Sequence, residues 1–260
     1  MARTYSAEGI ILKRTNIGEA DRLVTILSKG RGKFSAVAPG VRKVSSRKAP
    51  NLELLNQVKL GLARGKTFDV ITEAVAVETF KSLKENLVKV GFGFYLVEIT
   101  NEFLAPGQGG KGVFELLEKV LKLLDQEDGL GKIKLFTRAF EMKLLELLGF
   151  KPELDKCTRC GQALSPSINF LSPQAGGVVG RECRGDTLFA RAISPRALAA
   201  LRFLQKEDWE KIKRGTASPA LNAVLEQNLH FYLEYLLEKE IKTAKFIDKL
   251  SSLKEGRPGA

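Results

Sequence analysis

The residues best suited to chemistry lie in one stretch, Cys157 to Cys183, which holds all three cysteines of the 260-residue chain. CTRCG (Cys157 to Gly161) places two thiols three residues apart above a glycine turn, a spacing that lets both reach one tetrahedral ion. SPQAGG (Ser172 to Gly177) and GRECRG (Gly180 to Gly185) follow, and the latter supplies Cys183. A second CxxC ending at Cys183 would begin at position 180, which is a glycine. The stretch therefore reads as a zinc-ribbon-like knuckle with a metal set of Cys157, Cys160 and Cys183 and no fourth cysteine. Two readings are open. Zn2+ sits on three thiolates completed by Glu182, Asp186, His230 or water, or the knuckle is metal-free and hydrogen-bonded.

Other reactive constellations are missing. His230 is the one histidine, which removes most acid–base and triad schemes. It falls in an amphipathic helix, where a structural role is expected. GQGGKG (Gly107 to Gly112) lacks the spacing of a phosphate-binding loop and the hydroxyl after its lysine, so no nucleotide is expected. The acids form no paired cluster suited to magnesium. CTRCG lacks the strand-then-helix setting of a redox CxxC. No catalytic residue is assigned and no enzyme is expected.

Charge points elsewhere. The formal net charge is +12 and the pI about 9.6, which favours polyanionic partners. Residues 1–80 carry 14 Lys plus Arg against 7 Asp plus Glu, so +7 of the +12 lies there. From Arg22 to Leu52 there is no acid, while Arg22, Lys29, Arg31, Lys33, Arg42, Lys43, Arg47 and Lys48 all fall in that span. These eight are the candidate nucleic-acid-binding residues. Aromatic residues within 1–78 are few: Tyr5, Phe34 and Phe68, the last two expected in the core. Many cations and few rings imply a grip on phosphates that leaves the bases largely free. Neutralising about 4–6 phosphates would give a slope of log affinity against log salt of roughly −3 to −4 on a single strand.

The positioning elements follow from periodicity. Strands are expected near Tyr5–Leu12, Leu23–Ser28, Lys33–Gly40, Leu54–Ala63 and Phe68–Glu78, with Lys29-Gly30-Arg31-Gly32 a hairpin turn. Five short strands with a long gap after the third suit an OB-fold barrel. The gap, including VRKVSSRKAPN, reads as a mobile basic loop. Helices are expected over Thr79–Leu104, Val113–Gln126 and Lys132–Gly149. Lys132, Lys134 and Arg138, beside Leu135 and Phe136, form a candidate anion-accepting patch for an acidic-aromatic peptide tail. Ser194-Pro195 and Ser218-Pro219 open two further helices, each a capping serine followed by proline at the first helical position. The last is expected to run to about Ile241. The expected class is thus α+β: an OB-fold over 1–78, a helical domain over 79–150 and 193–250, the knuckle inserted at 151–192, and a disordered tail at 251–260. No segment approaches the ~18 apolar residues of a membrane span and no signal peptide is evident, so a cytoplasmic protein without membrane partners is expected.

This order of basic barrel, helices, CxxCG, SPxxGG and a further cysteine resembles the bacterial RecO family of recombination mediators. GIILKRTNIGEADRLVTILSKGRGK and LLELLGFKPELDKCTRCG are similar to that family's pattern, and the resemblance covers essentially the whole chain. It implies a non-enzymatic, nucleoid-associated protein of DNA repair that binds single- and double-stranded DNA and anneals complementary strands. It further implies that RecR is a partner in loading RecA on coated single strands, and that the helical domain contacts the C-terminal tail of single-strand-binding protein. Zinc-bearing members usually have two CxxC pairs, from which this chain departs at Gly180. The residues alone also allow an OB-fold RNA- or ribosome-associated factor, because phosphate binding does not separate DNA from RNA.

Overall fold

A computed structural model describes residues 4–185, 187 and 189–247; Asp186 and the expected tail at 251–260 lie outside the described residues. Five strands form the N-terminal part: β1 (Thr4–Ile17), β2 (Asp21–Ser28), β3 (Gly32–Ala38), β4 (Gln57–Ala63) and β5 (Asp69–Glu78). Their order, β1-β2-β3-β5-β4, closes on itself through antiparallel pairing of β1 with β4, and β3 meets β5 in parallel. This is the OB-type barrel expected from the strand spacing. β1 runs five residues beyond Leu12. Its first half pairs with β4 and its second with β2, and a bulge between Ile11 and Lys13 accompanies the change of partner. Such a bulge bends a strand and increases its twist, which is what closing a small barrel requires. Ile11, Val24, Ile26, Val58, Leu60, Leu62 and Ile71 fill the interior.

The connection from β3 to β4 corrects the expectation of a mobile loop. Val41 and Leu52 are 1% exposed and belong to the barrel core, with Ala49 and Leu54 packed beside them. Asn51 Nδ2 donates to the Ala74 carbonyl at 3.0 Å, and Asn56 Nδ2 to that of Pro50 at 3.1 Å. The connection is a cover pinned to the barrel by its apolar and asparagine residues. Phe68 also departs from expectation: it is 42% exposed, whereas Phe34 packs against the core.

The helix expected over 79–104 is two: α1 (Lys81–Glu85) and α2 (Leu87–Phe103). Asn86 divides them, its side chain accepting from the Val88 and Lys89 N–H groups as an N-cap. Gly93 permits a close approach. A Cβ there would lie 2.9 Å from Leu55 Cδ1 and 3.0 Å from Leu83 Cδ2. α3 (Gly110–Gln126) completes this part.

Packing divides the chain differently from the expected boundaries. One compact unit comprises residues up to Gln126 together with those from Lys242, and the other runs from Glu127 to Ile241. α2 packs on β1, and α3 on β2 and β3, so the first three helices complete the barrel unit. Residues after Lys242 join it because the Lys242 and Thr243 N–H groups donate to the Glu98 carboxylate at 3.1 and 2.8 Å.

The second unit holds α4 (Leu130–Leu147), a three-stranded sheet of β6 (Asn169–Ser172), β7 (Gly177–Val179) and β8 (Arg191–Ile193) in the order β7-β6-β8, then α5 (Pro195–Lys206), α6 (Trp209–Arg214) and α7 (Pro219–Leu237). Ser194 Oγ accepts from the Ala197 N–H and Ser218 Oγ from the Leu221 N–H, as the Ser-Pro pairs imply. α7 stops at Leu237 rather than Ile241 because Glu238 turns left-handed, with φ of 53°. No helix among the described residues is long and apolar enough to cross a membrane.

Candidate nucleic-acid interface and metal centre

The eight expected cations divide by what their side chains already hold. Lys29 pairs with Glu115 at 3.1 Å, and Arg31 with Asp69 at 3.0 Å. Lys33 Nζ donates to the Asn101 carbonyl at 2.6 Å, Arg42 to that of Gly18 at 3.0 Å, and Lys48 Nζ to that of Ile71 at 2.9 Å. Arg22 Nε donates to Asn16 Oδ1 at 3.1 Å. Lys43 and Arg47 are exposed, and among the described residues their side chains have no hydrogen-bond or ion-pair partner. The acid-free span thus acquires acids from elsewhere in the fold, and its uncompensated charge sits on the cover of the barrel.

Two further cations, Arg64 and Lys66, lie between β4 and β5 and outside the eight expected residues. Arg64 and Lys66 are exposed and, among the described residues, pair with no acid. A hollow of about 290 Å³ is lined by Tyr5, Arg31, Arg64 and Asp69. Tyr5 hydroxyl and Arg31 Nη1 both donate to Asp69 Oδ2. The sequence clue was the flanking of Gly65 by two cations, with an aromatic three residues on.

The tail-binding candidates fare unevenly. Arg138 is 1% exposed, pairs with Glu141 at 2.8 Å and Glu226 at 3.7 Å, and lies 3.3 Å from His230 Nε2. It is a core charge with no surface to offer a peptide. Burial, then the Arg138 charge, depresses the His230 pKa to about 3. Lys134 is 3.6 Å from Glu226, and Lys132 Nζ donates to the carbonyls of Lys213 and Gly215. Phe136 is 3% exposed and belongs to the core. Leu135, by contrast, lines an apolar hollow of about 240 Å³ with Phe203, Leu204, Gly215, Leu221 and Leu225.

The knuckle brings its thiols together: the three Sγ atoms lie within 4.8 Å of one another. Tetrahedral zinc with bonds of about 2.3 Å needs sulfurs about 3.8 Å apart, so the set fits that ion with small adjustment. Cys157 is buried, Cys160 exposed and Cys183 between. Burial alone would raise the Cys157 pKa, but hydrogen bonds, first from the Gly180 N–H and then from the Cys160 and Arg159 N–H groups, bring it down to about 7. Hydrogen bonding to Cys160 and then Cys157 pushes Cys183 up to about 11. Gly180 lies against Cys157: its N–H donates to Cys157 Sγ at 3.4 Å, and a Cβ there would meet only the Cβ and Sγ of Cys157, both at 3.9 Å. Neither Glu182 nor His230 belongs to the thiol cluster, and His230 is engaged with Arg138 instead.

Barrel, helices and a three-thiol knuckle define an OB-barrel protein with an appended helical region. Family profiles make the class specific: "Recombination protein O N terminal" matches residues 1–80 and "Recombination protein O C terminal" residues 84–245. The chain belongs to the RecO family of DNA repair proteins. It is 34% identical to the DNA repair protein RecO of Roseiflexus sp. (strain RS-1) over 251 residues, covering 96% of this chain and 87% of that protein. It is 32% identical to that of Dehalococcoides mccartyi (strain ATCC BAA-2266) over 247 residues, covering 95% and 96%. With the Moorella thermoacetica protein of the same name it shares 30% over 262 residues, covering 100% and 96%. These matches lend nothing to the RNA- or ribosome-associated alternative.

Proposed function

We propose that the chain is a non-enzymatic recombination mediator whose barrel holds single- and double-stranded DNA by the phosphates and leaves bases free to pair. The observation that carries this reading is the unpaired charge of Lys43 and Arg47 on the barrel cover. Arg22, Lys29, Arg31, Lys33, Arg42 and Lys48 add to it from the same acid-free span. Their local partners are mostly neutral carbonyls or partly exposed acids, so they still contribute field and can re-pair with phosphate. Screening two strands at once lowers their mutual repulsion, which is the physical requirement for annealing.

In this reading RecR is the partner in loading RecA. The acidic C-terminal tail of single-strand-binding protein seats an apolar side chain in the hollow beside Leu135, with Lys132 and Lys134 at the same helix start. Arg138 holds that helix from within. Zinc is held by Cys157, Cys160 and Cys183, where it supplies a structural cross-link. The test is annealing of complementary strands, bare and coated with single-strand-binding protein. Acceleration in both cases is expected; no acceleration of bare strands would refute the reading.

A further inference from the structure

The hollow at Tyr5, Arg31, Arg64 and Asp69 has a composition unlike the rest of the barrel surface. At about 290 Å³ it is at the small end of ligand pockets, with room for one planar group rather than a run of them. Its walls are pre-set. The Arg31 guanidinium carbon lies 4.8 Å from the Tyr5 ring centroid and 4.7 Å from that of Phe34. Asp69 accepts from both Arg31 and the Tyr5 hydroxyl, fixing ring and guanidinium together. Arg64 differs from Arg31. Its guanidinium carbon is 5.9 Å from the Tyr5 centroid, it is exposed, and among the described residues it meets no acid. The turn that presents it closes tightly, because a Cβ at Gly65 would run into the Phe68 carbonyl. Phe68, 42% exposed, follows in the same turn.

An exposed guanidinium beside an aromatic ring, both lining one hollow, is a stacking surface for a nucleobase. Because Asp69 already neutralises Arg31, the net charge left in the hollow is that of Arg64. A flat, singly cationic slot suits one base and its phosphate. It does not suit a multiply charged anion. We propose that this hollow holds one unstacked base of a bound single strand, stacked on Arg64 beside Tyr5, anchoring the strand while the cations of the barrel cover follow its phosphates. The inference rests on the DNA-binding reading above and narrows it: bases are free along the strand except at this anchor.

The test compares full-length protein binding a thymidine oligonucleotide of about sixteen nucleotides, the upper site size of one OB fold, with an abasic oligonucleotide of equal length and charge. Loss of one stacked base should weaken the abasic strand about five- to one-hundred-fold. Arg64→Ala and Arg64→Lys should both erase that preference, since lysine keeps the charge and lacks the plane. The pair Lys43→Gln with Arg47→Gln should weaken both oligonucleotides and keep the preference. Equal wild-type affinity for the two oligonucleotides, or a preference intact in Arg64→Lys, would overturn the anchor while leaving phosphate binding standing. Binding of neither oligonucleotide would overturn both readings.

Discussion

At the scale of residues, the instructive pair is Arg138 and Lys43. Both are cations in segments that read as basic surface, and only the fold separates them. Arg138 is interior and holds Glu141, so Arg138→Ala should destabilise the protein by about 3–5 kcal/mol through the acid left behind. Chemical denaturation checks this; a loss under about 1 kcal/mol would show that the pair is solvated. His230 gives a second handle. Its folded pKa, about 3, lies below the unfolded value of 6.5. Between those pH values the unfolded chain takes up the proton, so stability falls on acidification from pH 6.5 towards 3, by at most about 1.4 kcal/mol per unit. His230→Gln should flatten that part of the pH–stability profile. The sequence exposed neither effect, because Glu141 is a helix neighbour of Arg138 but Glu226 and His230 reach it from α7, distant in the chain. The lone histidine's structural role was legible from the helix around it.

At the scale of elements, the strands and Ser-Pro caps were readable because local physics decides them: alternation, two-glycine turns, a hydroxyl that accepts from the helix start. What local physics does not decide was misjudged. The β3–β4 connection has the composition of a free loop, yet Val41 and Leu52 drive it onto the barrel. The division at Asn86 was hidden because helical periodicity continues through a cap residue. Gly93 is a point of close contact, given the distances from its Cβ position to Leu55 and Leu83. Gly93→Ala should therefore cost about 1–3 kcal/mol by overpacking, where an exposed helical glycine would gain from the change. In the knuckle, Cys183→Ser should abolish stoichiometric zinc uptake. Gly180→Cys should tighten it in chelator competition, since a Cβ there meets only Cys157 at contact distance and the backbone, at φ −65°, accepts any residue. A wild-type protein that takes up no zinc would contradict the metal assignment.

At the scale of the whole molecule, the compact units do not coincide with the profile boundary near residue 80. Sequence similarity follows the barrel strands, whereas packing adds α1, α2 and α3 and the segment after Lys242 to them. A fragment ending at Glu78 would expose the faces that α2 and α3 cover, so it should be less stable to heat than one ending at Gln126 rejoined to the last segment. The net charge of +12, legible at once, is a property of this scale, and so is its consequence for binding. Salt dependence of single-stranded DNA binding measures it most directly. The wild type should show a slope of log affinity against log salt of roughly −3 to −4, and Lys43→Gln with Arg47→Gln one shallower by about 1.4, the loss of two phosphate contacts. A slope near zero, or one that the double substitution leaves unchanged, would contradict a phosphate grip centred on the barrel cover.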